Sequence, residues 1–235
     1  MRIVNSGSKW MVQALGPMTV ILLLGGFLWF SNRGKAPALK LPPPPTRSLA
    51  DFSALKPGGT VPDWSTSQGN FRLVSREGRT VMELSHEPMV EGRLVWNRIF
   101  KSHGMIRSRM WGEKARRASP RFALGVAGSS SAYWLRAIPA EKSIQIVSQE
   151  ETIASVPWEW DSVKPVWLEL RVVPAADGKG SSFEGRVWHE GEAQPETPTL
   201  VLSPVEDLGF ARASAAAAPY ALKPVYIDHL EVSSP

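Results

Sequence analysis

The chain has 235 residues, 43% of them hydrophobic and 21% charged, which suits one globular domain with a short additional segment. The absence of cysteine excludes disulfides, thiol catalysis, thiolate metal sites and c-type haem attachment. The net charge of +5, from 27 basic and 22 acidic residues, favours anionic lipid, polysaccharide or an acidic protein as partner. No nucleic-acid-binding motif accompanies this charge, so nucleic acid is not expected as a partner.

The first predicted element is a transmembrane helix over residues 11–30, after a short tail at residues 1–10. The segment has no charged residue and matches the length of about 20 apolar residues that crosses a bilayer. Trp10 and Trp29 stand at its two ends, where tryptophans meet the membrane interfaces. A cleaved signal peptide is the alternative, but the apolar run ends in bulky residues rather than the small ones that cleavage requires. We therefore expect an uncleaved single-pass anchor.

A proline-rich linker is predicted next, over residues 31–57. It contains four consecutive prolines, Pro42 to Pro45, which favour an extended chain. Polyproline II is a semi-rigid spacer that advances about 3.1 Å per residue. This linker is expected to hold the following domain away from the bilayer surface.

An all-β domain is predicted for residues 58–235. Short runs of β-branched and aromatic residues recur along it, separated by Gly, Pro, Ser and Asn. The predicted strands cover residues 71–75, 80–84, 93–100, 105–111, 121–126, 132–138, 143–148, 152–156, 166–173, 183–189, 200–202 and 225–232. Only the alanine-rich stretch 211–218 is a candidate helix. The pattern indicates a two-sheet antiparallel β-sandwich, or jelly roll.

Hydrophobic and polar residues alternate within several of these strands. Leu168 and Leu170 are expected on the core face of one strand, with Glu169 on the opposite face. In the last strand, Ile227 and His229 are expected to share a face. Such alternation is typical of sheets with one face in the core and one in water.

Five segments of the predicted domain carry a resemblance to a known family. They are GNFRL at residues 69–73, MIRSRMW at 105–111, VWLELRV at 166–172, FEGRVW at 183–188 with EAQPE at 192–196, and PVYIDHLEV at 224–232. From about residue 57 onwards, the chain resembles the concanavalin A-like (laminin-G-like) jelly-roll domains of bacterial exported proteins. These include modules of the 3-keto-disaccharide hydrolase type and modules attached to quinoprotein propellers.

The resemblance implies a jelly-roll fold and an exported domain. The expected location is therefore the cytoplasmic membrane of a bacterium, with the C-terminal domain on the periplasmic or extracellular side. The family usually has a glycine-rich turn before its closing strand, whereas this chain has an alanine-rich segment at residues 212–219. Fold alone does not assign a function, so the site residues are considered separately.

No catalytic, metal or cofactor site is predicted. Glycosidases of this fold class need closely spaced carboxylates projecting from one face. The nearest candidate is the pair Glu159 and Asp161, which has no third carboxylate and lies in a predicted loop. The four histidines lack metal-binding spacing.

A cluster of basic residues is the candidate partner-binding surface. It consists of Arg107, Arg109, Lys114, Arg116, Arg117 and Arg121. If residues 105–111 form a strand, Arg107 and Arg109 share its solvent face, and the following loop extends the positive surface. An electrostatic docking site for anionic lipid or an acidic protein is one interpretation, and an ordinary solvated face is the other.

Tryptophans in predicted loops are candidates for stacking on sugar rings or for anchoring a protein interface. These are Trp64, Trp158 and Trp160. Tryptophans within strand patterns, including Trp134, are assigned mainly to core packing.

Two classes of function fit these features. The first is a non-catalytic, membrane-anchored accessory subunit whose β-sandwich docks on and stabilises a membrane-protein assembly, such as a photosynthetic or respiratory complex. The second is a carbohydrate-binding module that faces cell-wall or extracellular glycan. A glycoside-cleaving enzyme is a weaker third possibility, because the required carboxylates are missing.

Overall fold

The computed structural model describes residues 47–101 and 103–234, which form an antiparallel β-sandwich. Its strands are β1 (Arg47–Ala50), β2 (Trp64–Gln68), β3 (Phe71–Arg76), β4 (Arg79–Leu84), β5 (Gly92–Trp96), β6 (Phe100–Lys101), β7 (Gly104–Gly112), β8 (Arg121–Ala127), β9 (Ala132–Ile138), β10 (Ser143–Ser148), β11 (Glu151–Pro157), β12 (Val166–Pro174), β13 (Ser181–His189), β14 (Leu200–Val205), β15 (Phe210–Ala218) and β16 (Val225–Ser233). Two short 3₁₀ turns, Phe52–Ala54 and Pro139–Glu141, are the helical elements of this part of the chain.

The strands form two sheets that enclose one large core. The first sheet has the order β14-β13-β12-β7-β16-β4-β3, and β1 also pairs with β16. The second sheet has the order β11-β10-β9-β8-β15-β5-β2, and β6 also pairs with β15. Residues from both sheets, among them Trp96, Phe122 and Phe183, are fully buried between them.

The predicted sandwich is confirmed. Two of its hairpins, β3–β4 and β10–β11, have two-residue turns. The β3–β4 turn places Glu77 and Gly78 at φ values of 51° and 75°. The β10–β11 turn places Gln149 and Glu150 at φ values of 51° and 63°. Two successive residues with positive φ match the type I′ turn, whose twist suits a two-residue hairpin.

The sandwich begins earlier in the chain than predicted. Residues 47–57 were assigned to the linker, but β1 pairs with β16 from Arg47↔Ser233 to Ala50↔Leu230. Phe52, which follows β1, is buried in the core. Sequence patterns do not reveal this short strand for two reasons. Its neighbours in the chain are polar, and the strand with which it pairs lies at the far end of the chain.

The predicted tail, the anchor at residues 11–30 with Trp10 and Trp29, and most of the linker lie outside the described residues. Among the residues that are described, no helix is long and apolar enough to cross a membrane.

The alanine-rich candidate helix is a β-strand, so that prediction is wrong. Its residues form β15, which lies between β8 and β5 in the middle of the second sheet. Ala213, Ala215 and Ala217 belong to the large core, whereas Ala216 packs with Trp134 in a separate cluster. Alanine has the highest helix propensity of the amino acids, but propensity is a weak determinant of structure, and pairing with a strand on each side outweighs it here.

A register shift in β16 changes the predicted alternation at the C-terminus. Ile227 pairs with Met110, but His229 pairs with Arg109, so Asp228 is the extra residue of a β-bulge. His229 therefore does not share a face with Ile227 as expected, and Leu230 is the next residue in the core. Bulges redirect side chains in this way.

Candidate functional site

The outer face of the second sheet has a floor of small residues. Cross-strand pairing places Arg93, Ala216, Ala123 and Arg136 in one row across β5, β15, β8 and β9. The neighbouring row contains Ser214, Gly125 and Trp134. Because alternate residues of a strand face the same side, these residues all project away from the core. The result is a small-residue floor between larger side chains.

Trp134 lies flat over this floor. A Cβ atom at Gly125 would approach the Trp134 ring to 2.6 Å, so only glycine lets the ring lie this close to β8. The Arg93 guanidinium lies 4.6 Å from the centroid of the Trp134 ring, a cation–π distance. Ala123 and Ala216 are only 1% and 0% exposed beneath these side chains.

A groove of about 410 Å³ opens at one end of the floor, and we name it the Trp134 groove. It is lined by Arg93, residues 127–132, Trp134, Gln149 and Glu150. The lining combines an aromatic edge with a guanidinium, an amide, a carboxylate and the hydroxyls of three consecutive serines. Such a mixture of an aromatic surface with hydrogen-bonding groups suits a polar ligand with an apolar face.

Three arginines surround the floor, and we call Arg93, Arg121 and Arg136 the arginine cluster. Arg136 contacts Glu150, with N–O distances of 3.2 and 3.3 Å. The hydrogen bond from Arg136 lowers the pKa of Glu150, and the nearby charges of Arg93 and Arg121 lower it further. All three guanidinium groups therefore act on the same carboxylate.

The outer face of the first sheet is different, because its charges are paired with each other. Glu169 is fully buried and accepts hydrogen bonds from Arg107 at 2.8 Å, Arg171 at 2.6 Å and Gln194 at 3.0 Å. Arg186 also contacts Glu169, at 3.4 Å. Burial raises the pKa of Glu169, but the hydrogen bonds from Arg171 and Arg107 outweigh it and leave the pKa below its usual value.

Two members of the predicted basic surface belong to this paired network. Arg107 lies against Glu169, and Arg109 binds Asp228 through its Nε at 2.7 Å and Glu190 at 3.0 Å. The hydrogen bond with Asp228 raises the pKa of Arg109. Both arginines are on the outer face, as predicted, but neither offers an unpaired charge to a partner.

The other predicted members separate in space. Lys114, Arg116 and Arg117 lie on an exposed turn between β7 and β8. Arg121 starts β8 and contacts the Tyr220 ring at 5.2 Å from its centroid. The six residues therefore do not form one continuous surface, because the strand and its successor belong to opposite sheets.

The predicted stacking tryptophans mostly pack on the protein itself. Trp64 lies in β2 and packs within the large core between the two sheets, so its ring is not available to a ligand. Trp158 stacks on His189 at 5.2 Å, and Trp160 meets Phe122 edge-on at 6.0 Å. Both follow β11 in a loop, as predicted, and both pack against the core.

Sequence reasoning missed Trp134, Arg93, Arg136 and Glu150 as site residues. Trp134 and Arg136 are two residues apart in β9, so alternation alone places them on one face. The pairing of Gly125 opposite Trp134 was not visible in the sequence. Within the described ranges, no group of His, Asp and Glu side chains is arranged to hold a metal ion.

Comparison with solved structures identifies the class of fold. The chain is similar to lectin II from Ulex europaeus, with a TM-score of 0.58 and 9% identity, over 80% of this chain and 97% of that one. It is also similar to lectin I-B4 from Griffonia simplicifolia, with a TM-score of 0.56 and 10% identity, over 80% and 99%. The exoplasmic/lumenal domain of VIP36 has a TM-score of 0.55 and 11% identity, over 81% and 90%.

These similarities define a concanavalin A-like β-sandwich of the legume-lectin type. At this level of identity they establish the fold and nothing further. No family profile and no curated protein sequence matches the chain.

Proposed function

We propose that the protein is a carbohydrate-binding domain and that its glycan binds in the Trp134 groove. The observation that carries the proposal is the aromatic edge of Trp134 beside Arg93, Gln149, Glu150 and a run of serines, on an outer face of a lectin-type sandwich. Sugars have apolar C–H faces, which contact aromatic rings. They also have closely spaced hydroxyls, which form hydrogen bonds with planar polar side chains.

The fold comparison supports this hypothesis better than that of an accessory subunit in a membrane complex. The similar proteins are called lectins, or carry carbohydrate recognition domains, in their own descriptions. The basic cluster was one of the features that favoured the accessory hypothesis, and two of its members, Arg107 and Arg109, are paired within the first sheet. We propose binding rather than catalysis, since the groove contains a single carboxylate, Glu150.

We keep as a proposal that residues 11–30 anchor the chain in a bacterial cytoplasmic membrane, with the sandwich outside. The apolar composition of that segment supports this. Alkaline extraction of membranes leaves integral proteins in the pellet, so release of the full-length chain into the supernatant would contradict the anchor.

Glycan binding is tested with the full-length chain on a glycan array, followed by titration of each bound oligosaccharide. Trp134 is 9% exposed, so a ligand contacts only the edge of its ring. We expect Trp134→Ala to weaken binding about twofold to tenfold, because an aromatic contact contributes about 0.5–1.5 kcal/mol. Gln149→Gly should also weaken binding. Gln149 is exposed and has a positive φ, so glycine removes its side chain without straining the turn.

Trp167→Ala is the matched control. Trp167 stacks on Trp188, with ring centroids 5.8 Å apart, on the outer face of the first sheet. The groove lies on the second sheet. We expect this variant to keep the glycan affinity. Failure of the unmodified chain to bind any glycan at millimolar concentration would overturn the proposal, as would an equal loss in Trp134→Ala and Trp167→Ala.

A further inference from the structure

We propose, on the basis of the carbohydrate-binding function above, that the ligand is an acidic saccharide whose carboxylate or sulfate group binds to the arginine cluster. Arg93, Arg121 and Arg136 are contributed by three different strands to one face of the second sheet. The inference rests on their placement, their unused hydrogen bonds and the shortage of carboxylates around them.

The alanine floor brings the three arginines together. Arg93 and Arg136 are in the same cross-strand row, separated by Ala216 and Ala123. Arg121 is two residues before Ala123 in β8, so it projects from the same face. Because the intervening residues have almost no side chain, the Trp134 ring and the long arginine side chains lie over them on this face.

The hydrogen-bonding capacity of the cluster is largely unused. The Nε atoms of Arg93, Arg121 and Arg136 are buried and have no hydrogen-bond partner among the described residues. Arg136 as a whole is only 6% exposed. Buried polar groups are nearly always hydrogen-bonded, so three unpaired donors on one face of the sheet are unusual. Arg93 lines the groove with a side chain that is 34% exposed, and it offers a ligand the outer N–H groups of the same guanidinium.

Few carboxylates balance the cluster. Arg93 contacts Glu91 at 3.5 Å, at the limit of a hydrogen bond, and Arg136 contacts Glu150. Arg121 has no ion pair within the described part of the chain and lies against Tyr220. The first sheet gives the opposite picture, since Glu169 alone accepts from Arg107 and Arg171.

Glu150 occupies the position that we assign to the acidic group of the ligand. Its side chain is 79% exposed, although it contacts the nearly buried Arg136. An exposed glutamate in a hairpin turn can rotate away at little cost, because such a pair contributes only about 0.2–1 kcal/mol. A ligand carboxylate or sulfate can then accept from the guanidinium groups in its place.

Neutral sugars fit this surface less well. A hydroxyl accepts hydrogen bonds but brings no negative charge, so desolvation of the guanidinium groups on binding is not compensated. Arginine is also the side chain best matched to planar anionic groups, through paired N–H donors. The predicted preference is therefore for charge as well as for sugar shape.

The test compares an oligosaccharide of hexuronic acid with its carboxyl-reduced, neutral counterpart of the same length. Calorimetric titration of the full-length chain should show at least about tenfold tighter binding of the acidic form. A sulfated oligosaccharide forms a third arm and distinguishes sulfate from carboxylate. Raising the salt concentration should weaken binding of the acidic ligands and leave that of neutral ones unchanged.

Two substitutions change affinity in opposite directions. Arg93→Gln should weaken binding of the acidic ligand at least about tenfold. Glu150→Gln should strengthen it about threefold to fivefold, since the competing carboxylate is removed and the exposed turn tolerates the change. The control is Arg72→Gln, because Arg72 pairs with Glu83 at 2.7 Å on the first sheet, and we expect it to have no effect.

The outcomes separate this inference from the function on which it rests. Equal affinity for the acidic and the carboxyl-reduced oligosaccharide, with loss on Trp134→Ala, would overturn the inference and leave glycan binding intact. Weaker binding in Glu150→Gln would also overturn it. No binding of any saccharide would overturn both.

Discussion

Glu169→Gln is expected to lower the free energy of unfolding by about 3–5 kcal/mol. Glu169 is fully buried and is contacted by Arg107, Arg171 and Arg186. Glutamine keeps the shape of the side chain but not its charge, so the guanidinium groups lose their common anion. Removing one partner of a buried ionic network costs far more than the net contribution of an exposed pair. Urea unfolding monitored by tryptophan fluorescence measures the difference.

Glu159→Gln is the matched control for this experiment. Glu159 pairs with Lys142 at 3.0 Å, but its side chain is 79% exposed. The expected loss is about 0–1 kcal/mol. Similar midpoints for Glu169→Gln and the unmodified chain would show that the arginines do not depend on this carboxylate.

The pH dependence provides a second measurement of the same network. The pKa of Glu169 is below its usual value in the folded chain, so the unfolded chain binds its proton more readily. The stabilising effect of this carboxylate is therefore present above the unfolded pKa and is lost as the pH falls through the folded one. The difference in unfolding free energy between the unmodified chain and Glu169→Gln should decrease from pH 7 towards pH 3.

Gly180→Ala is the second substitution with a large expected effect. Gly180 precedes β13 with a φ of 85°, and a Cβ atom there would lie 2.1 Å from the backbone oxygen of Val205. The backbone of β14 would have to shift to relieve this overlap. The positive φ costs about 1–2 kcal/mol and the steric overlap about 1–3 kcal/mol. We expect a total loss of about 2–5 kcal/mol in thermal or urea unfolding.

Gly178→Ala separates these two contributions within the same turn. Gly178 has a φ of 70°, but no atom lies within 4 Å of a Cβ at this position. Its substitution should cost only the conformational term of about 1–2 kcal/mol. If both variants lose equal stability, the close approach of Val205 to Gly180 is not what requires glycine there.

The overall charge did not reveal which basic residues are unpaired on the surface. The net charge of +5 suggested an anionic partner, and the consecutive basic residues after β7 suggested where it binds. Arg107 and Arg109 instead pair with Glu169 and Asp228, which lie on neighbouring strands. These ion pairs join strands that are neighbours in the sheet but distant in the chain. A run of basic residues in the sequence therefore does not show which of them are neutralised.

The site itself depends on pairings between distant segments. Gly125 permits the flat position of Trp134, and β15 supplies the alanines that separate Arg93 from Arg136. Alanine repeats suggest a helix when considered alone, since nothing in the stretch records that β8 and β5 lie on either side. Trp134 was assigned to the core for a similar reason, because a strand pattern does not tell which face is inner.

The sequence by itself determined the all-β class and most strand positions. These depend on local alternation and turn residues, which act over a few neighbouring positions. Tertiary structure alone decided the pairing of β1, the strand state of β15, the bulge at Asp228 and the assembly of the arginine cluster. Each of these depends on contacts between segments far apart in the chain, and the free energy of those contacts exceeds the local preferences that the sequence displays.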